Sequence, residues 1–444
     1  MNYHDLAGRL VSRGRRLGAS EIEVYIQNSR NLSIRVRNAD IETIQEAATS
    51  GVGFRVVVDG KMGFSHCNDL NDRSLTQTLE RAIAFARLTT PDQHNVLPDE
   101  IPHTDVEGIY DSSTAEVSMD KKIEMALEVE ALARADERIT HSSGASFGDG
   151  ESEVIIANSR GMLKSYRASA CSVGVSVVAE KGDQRHTGGE FCSRRYFSDL
   201  PSLDEIASKA AQKAWEMLDP RMVPTQRAAV IFDPAVTRSL LGGIIAAING
   251  ERVLQGASFL KDMMDERFAS TLLTIVDDGT RPRGMSSKPF DGEGVPVGKR
   301  TLIEEGVLRS FLYNTQAASR AGTQSTGNAS RAGFTSLPGI GTHNLYLTAG
   351  QHTPEAIIAN TSRGLLLKGV TGYGINPVNG NYSGGATGFW IEEGQIIHPV
   401  QGLTIAGRAV DILNNIDMMG NDIDLNRSLA APTFRISEMQ IGGA

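Results

Sequence analysis

Hydrophobic residues alternate with polar ones at Ile22, Val24 and Ile26, and again at Leu32, Ile34 and Val36. A period of two puts alternate side chains on opposite faces of a strand, so two half-buried strands are expected here. The run Gly51 to Val58 then meets Asp59-Gly60, a hairpin signal in which glycine supplies a positive φ. Elsewhere the period lengthens. Leu6, Leu10, Val11 and Leu17 mark a weak amphipathic helix, and Leu75, Leu79, Ile83 and Ala86 mark one face of another. A helix over 118–135 is expected to turn Ile123, Leu127 and Leu132 inward. Strands return over 153–157 and 168–178, separated by the turn Asn158-Ser159-Arg160-Gly161. A further helix is expected from Ser202 to Leu218, with Asp204 and Glu205 in its first turn to complement the helix dipole.

Two prolines within 219–224 mark a domain boundary. Beyond it comes a strand over 228–232 and a helix opened by Asp233-Pro234, a good cap followed by proline at the first helical position. Segments 302–308 and 390–397 repeat one design, a β-hairpin turned by Glu-Gly, and a short helix over 353–362 interrupts the sheet. Residues 364–407 contain 11 glycines, which predicts bulged, tightly turning sheet. The reading is α+β with two domains. Residues 1–220 form an N-terminal antiparallel sheet with helices, and residues 225–444 form a mainly antiparallel, barrel-like β domain.

Composition sharpens this picture. Of 46 glycines, 16 lie in residues 1–224 and 30 in residues 225–444, so turns and bulges concentrate in the second half. A net charge of −9 provides no general basic field for nucleic acid. The basic run Arg13 to Arg16 is short and reads as a solvated helix face. The longest apolar stretch, 240–248, is broken by two glycines and is too short to span a bilayer. The N-terminus lacks the apolar core of a signal peptide, so a cytoplasmic location is expected. Cys67, Cys171 and Cys192 are too scattered for a disulfide framework or a zinc ribbon.

Familiar catalytic patterns fail for physical reasons. Gly144-Ala145-Ser146-Phe147-Gly148 fits G-x-S-x-G, but a nucleophile elbow needs a following helix, and here another strand follows. The stretch Gly294 to Arg300 is one residue short of a phosphate loop and has arginine where a magnesium-binding hydroxyl belongs. Gly372-Tyr373-Gly374 lacks the third glycine of a dinucleotide fingerprint. All three read as turns. No two of the nine histidines are separated by three or four residues, so no helix aims two imidazoles at one metal. His343 and His352 flank a strand and could share a metal only through chain reversal. Asp262, Asp265, Glu266 and the pair Asp277-Asp278 read as solvated helix and turn positions. Spacing alone reveals no catalytic constellation.

Five segments nevertheless form a recognisable series: Gly51 to Ser65, Pro289 to Val295, Ser325 to Asn328, Gly380 to Trp390, and Met419 to Ile423. In order and spacing the chain resembles the TldD/PmbA family of peptidase-related proteins, most closely its TldE (PmbA) branch, over nearly its whole length. In that family the TldD-type members carry H-E-x-x-x-H on a helix of the second domain, completed by a cysteine near the C-terminus. Here the corresponding helix covers 239–248, and Gly242, Gly243 and Ala247 stand at the positions of the first histidine, the glutamate and the second histidine. Residues 230–260 hold no histidine, and no cysteine follows Asn421. The resemblance therefore implies that this chain binds no cofactor of its own and that zinc belongs to a TldD-like partner subunit.

The resemblance also implies an assembly that acts as a peptidase. In the family picture an unfolded peptide threads between subunits and is held as an added β-strand, a mode that needs little side-chain selectivity. Family roles include trimming leader peptides of modified natural products and degrading small antitoxins, with an older name as DNA gyrase modulators. Tyr373, Asn381, Tyr382 and Trp390 are the candidates for contact with peptide or partner, since tyrosine and tryptophan join apolar area to a polar handle. Core packing within the hairpin is the competing role for Trp390 and Phe389. Two other readings compete with the subunit: an autonomous peptidase with an unrecognised site, and a metal-independent homodimer that holds peptide or regulates. The chain could also self-associate where its partner is absent. No nucleic acid or membrane partner is expected.

Overall fold

The computed structural model describes residues 2–372 and 374–443. The first half is one antiparallel sheet whose strands are too long for a single core. Strands β1 (Glu21–Arg37), β2 (Asp40–Val58), β3 (Lys61–Cys67), β4 (Ile139–Asn158), β5 (Leu163–Lys181) and β6 (Gln184–Arg194) lie in the order β3-β2-β1-β4-β5-β6. At about 3.4 Å per residue, strands of this length need support at both ends. Helices α1 (Tyr3–Arg16) and α2 (Asp72–Leu88) cover one end, where Leu6, Leu10, Ile22, Phe54, Leu79 and Ile83 pack together. Helices α3 (Met119–Arg134) and α4 (Leu203–Trp215) cover the other, over Ile34, Val36, Phe147, Val173, Val129 and Ile206.

Two expectations change here. The alternating runs at Ile22 and Leu32 belong to one continuous strand, because their phase is shared and the polar residues between them stay paired to both β2 and β4. In α3 the buried face is Met125, Ala126, Val129 and Ala133, while Ile123, Leu127 and Leu132 lie half-buried at its margin. Alanines settle that choice. Ala126 and Ala133 of α3 are buried with Ala207, Ala210 and Ala214 of α4, and small side chains let two helices approach closely.

The second half starts with β7 (Gln226–Phe232) and α5 (Pro234–Ala247), capped by the Asp233 carboxylate on the Ala235 N–H. Strands Arg363–Thr371, Asn381–Glu392, Gln395–Arg408 and Phe434–Gly442 join β7 in a ring, closed by pairing of the last two. The pairing of β7 with Arg363–Thr371 is parallel and the rest of the ring is antiparallel. Closure removes exposed sheet edges. Phe232 stacks on Phe434 at 5.0 Å, and Trp390, Tyr382, Leu403 and Ile405 share one core with Leu240 and Ile244 of α5. A separate five-stranded sheet contains Ile275–Asp278, Lys299–Glu304 and Asn344–Leu347. Both Glu-Gly turns form as read, with positive φ at Glu305, Gly306, Glu393 and Gly394. The molecule is α+β, its second half dominated by barrel and sheet. Among the described residues no helix is long and apolar enough to cross a membrane.

Candidate functional site

Helix α5 carries Gly242, Gly243 and Ala247, the positions that the resemblance sets against a zinc motif. Gly242 is exposed, and a Cβ built on it would meet nothing within 4 Å. Gly243 is different: a Cβ there would lie 2.5 Å from the Ile375 Cβ and 2.8 Å from the Ile375 carbonyl oxygen. Ala247 is fully buried in the core. The helix thus leans on the backbone around Ile375 through Gly243, and a longer side chain has no room unless that segment moves. None of the three offers a donor atom, so these residues do not fit a zinc ion. Among the described residues no group of three or more His, Cys, Asp or Glu is placed to hold a metal.

His343 and His352 are not brought together in one site. His343 is buried, with Nδ1 3.1 Å from the Asp277 carboxylate, whereas His352 is exposed and its backbone pairs with Gly420. Asp277 corrects the reading of its pair as solvated. It is buried and accepts from the His343 backbone N–H at 2.7 Å and from Asn328 Nδ2 at 2.8 Å.

Two of the recognised segments, Gly51 to Ser65 and Pro289 to Val295, meet in a buried ionic cluster between the two halves. Arg55 donates to Glu23 and to Glu293, each at 2.6 Å, and all three side chains are buried. Arg331 pairs with the other oxygen of Glu23 and donates to the Gly292 carbonyl at 2.6 Å. Glu293 also accepts from the Thr315 N–H at 2.7 Å. Asp291 accepts from the N–H groups of Glu293, Val295 and Ala329 at 2.8, 3.0 and 2.9 Å. Burial and the neighbouring Glu293 charge push the Asp291 carboxyl up to about 7, against the pull of its N–H donors. Glu293 moves the other way: burial opposes its charge, but Arg55 and Thr315 hold it below the usual carboxylate range.

Gly51 belongs to the same construction, because a Cβ there would collide with the Phe334 ring. The pairs Arg55–Glu293 and Arg331–Glu23 therefore rivet the halves together, shut away from solvent. Glu23 and Arg331 were not legible as members. Glu23 stands at an ordinary polar position of the alternating run, and nothing local points to its partner.

The glycine-rich segment around 380–390 is also turned inward. Tyr382 and Trp390 are 2% and 3% exposed, so they serve the barrel core and present no free surface for a partner. Asn381 is exposed, and Tyr373 lies outside the described residues. Glycines here permit close strand packing, as at Gly384, where a Cβ would come 2.8 Å from the Thr371 carbonyl oxygen. The Ser of Gly144-Ala-Ser-Phe-Gly148 sits within β4, as a strand residue and not an elbow.

Comparison with known proteins agrees with this architecture. Family models described as PmbA/TldA metallopeptidase domain 1, central domain and C-terminal domain match residues 22–86, 113–218 and 225–443. The chain is 32% identical over 432 residues to a protein named metalloprotease PmbA homolog from Haemophilus influenzae, covering 96% of this chain and 93% of that one. It is 30% identical over 423 residues to metalloprotease PmbA of Escherichia coli O157:H7, covering 95% and 92%. Two crystal structures superpose closely. One is a candidate modulator of a DNA gyrase from Thermotoga maritima, with TM-score 0.90, 26% identity and coverage of 99% and 100%. The other is TldE from Thermococcus kodakarensis, with TM-score 0.90, 25% identity and coverage of 98% and 99%. With the three domain models in sequence and relatives matched end to end, the chain belongs to the TldD/PmbA family and, within it, to the PmbA/TldE branch.

Proposed function

We propose that this chain is the non-catalytic subunit of a two-subunit zinc peptidase that trims or degrades unstructured peptides. The observation that carries this reading is helix α5. Gly242, Gly243 and Ala247 stand where catalytic relatives would place ligands and base, and Gly243 is packed against the Ile375 backbone. A subunit built this way leaves zinc, and activation of its water, to a partner. Its own contribution is shape: a rigid surface for the partner and for an extended peptide.

One element suits strand addition. Over Asp40 to Ser50, β2 pairs with β1 on one side, while β3 joins it only from Val52 onward. Its side chains there are exposed or half-exposed, Ile41 and Ile44 among them. An open edge of this kind supplies main-chain donors and acceptors to any extended segment. The test is co-expression with a family member that contains H-E-x-x-x-H, followed by zinc analysis and peptide hydrolysis of each subunit and the mixture. The mixture should bind zinc and cleave an unstructured peptide, while this chain alone does neither. Stoichiometric zinc and cleavage by the isolated chain would overturn the proposal.

A further inference from the structure

Helix α3 leaves one flank uncovered. Ile123, Leu127 and Ala131 recur every four residues, so they line one side of the helix, and with Ala39 of the β1–β2 turn they border a groove of about 600 Å³. Glu130 fixes this side of α3 against the hairpin by accepting from the Asn38 and Ala39 N–H groups at 2.9 and 2.8 Å. Ile123 and Leu127 rest their inner surfaces on the core and are half-buried, whereas Ala131 is exposed. The open edge of β2 extends the same surface. Ile34, in the core with α3, pairs directly with Ile44, and Val36 pairs with Ile41, so both β2 isoleucines point to the helix-covered face of the sheet. No described strand pairs with the far side of β2 before Val52, and Ile41 and Ile44 are 42% and 45% exposed.

Charge indicates what covers this surface. The groove is also lined by Asp120, Glu124 and Glu128, and by no cation. These carboxylates stand four residues apart, a like-charge spacing that works against the helix carrying it. Lys121 engages Glu124 at 3.1 Å, but Asp120 and Glu128 have no ion pair among the described residues. The cations nearby are otherwise engaged. Arg30 and Arg37 hold Glu46 and Glu42 of β2 at 2.6 and 3.4 Å, and Arg134, one turn farther along α3, acts on Glu130. A segment lying along β2 would take main-chain hydrogen bonds from the free edge. On the α3 side its side chains would meet apolar surface first and carboxylates beyond. That order suits arginine or lysine, whose stem covers apolar surface while the charge reaches past it. On the opposite face β2 presents Thr43, Gln45 and Thr49, all uncharged.

We propose that the β2 edge and the α3 groove together bind an extended peptide segment carrying basic and apolar side chains on one face. This rests on the strand addition proposed above and adds the class of peptide selected. Three kinds of fluorescent peptide are titrated into the full chain without any zinc-bearing partner, so the outcome does not depend on hydrolysis by a mixture of subunits. They are Thr-Arg-Thr-Leu-Thr-Arg-Thr amide, the same peptide with glutamate for both arginines, and the arginine peptide N-methylated at alternate residues in each of the two phases.

The arginine peptide should bind about fivefold or more tightly than the glutamate peptide, with the difference shrinking as salt is raised. Asp120→Lys with Glu128→Lys should reverse that preference. Ile44→Thr, which keeps a β-branched residue in the strand, should weaken the arginine peptide severalfold. One phase of N-methylation should abolish binding, because only one set of N–H groups faces β2. Thermal melts of the variants establish that the fold is retained. Equal binding of arginine and glutamate peptides would overturn the charge selection while leaving strand addition in place. Indifference to both phases of N-methylation would overturn the edge itself. A dimer of this chain in sedimentation that excludes the peptide and dissociates on Ile44→Thr would assign the surface to a second copy and overturn the proposal.

Discussion

Arg55 and Glu293 are 238 positions apart in the chain and meet at 2.6 Å with both side chains buried. Neither charge tolerates that position alone, since burying an unpaired ion costs several kcal/mol. The contact therefore couples the first sheet to the second half: separating them exposes two charges at once and strands neither, while removing one partner strands the other.

Arg55→Met tests the cluster. It leaves Glu23 with Arg331 alone and Glu293 with no cation, and it should cost about 3–5 kcal/mol. Chemical denaturation followed by tryptophan fluorescence measures this. Adding Glu293→Gln to Arg55→Met should recover part of the loss, because the stranded charge goes.

The two glycines of α5 should respond in opposite senses. Gly242→Ala enters open space on a helix and should stabilise by about 0.5–1 kcal/mol, the ordinary glycine penalty in a helix interior. Gly243→Ala drives a methyl into Ile375 and should destabilise by about 1–3 kcal/mol. Comparing the two denaturation midpoints checks both.

Asp291 sets a pH dependence with a definite sign. Its carboxyl is raised to about 7 in the folded chain, from an ordinary value of 3.8. Its contribution to stability is fully present below the unfolded value and is lost as pH rises through 7, because the native state holds a proton that the unfolded state releases. Glu293, held low, contributes in the opposite sense: its stabilisation is present above its unfolded value and lost as pH falls through its folded one. Asp291→Asn removes the first effect only. Relative to wild type, that variant should be more favoured at pH 8 than at pH 5, read from denaturation midpoints at the two values.

The cysteines should differ sharply in reactivity. Cys171 is buried, and burial pushes its thiol up to about 12, with the charges of Asp111 and Asp149 adding to the effect. Cys192 is also buried and raised, whereas Cys67 is only half-buried. Since the thiolate is the reactive species, iodoacetamide on the native protein should label Cys67 first, with Cys171 and Cys192 modified only after unfolding. Peptide mass spectrometry reads the order directly.

Some of this molecule was plain in the chain because the forces involved are local. The cap and proline at Asp233-Pro234, the turns at Asp59-Gly60, Glu305-Gly306 and Glu393-Gly394, and the apolar face of α2 all follow from interactions within a few residues. That α5 offers no imidazole, thiolate or carboxylate at Gly242, Gly243 and Ala247 was equally legible, because it depends only on which side chains the helix carries.

What the tertiary structure decided is where polar residues go once distant elements meet. Asp277 resembled a solvated turn residue and became the buried anchor of His343 and Asn328. Tyr382 and Trp390 looked available to a partner, yet ring closure of the barrel turned them inward. Glu23 found Arg55 and Arg331. Periodicity and turn chemistry are set by neighbours along the chain, whereas burial of a charge and the identity of its partner are set by topology, which brings together residues hundreds of positions apart. The sequence by itself determined most turns, caps and helix faces; only the folded chain determined which of its charges are paired.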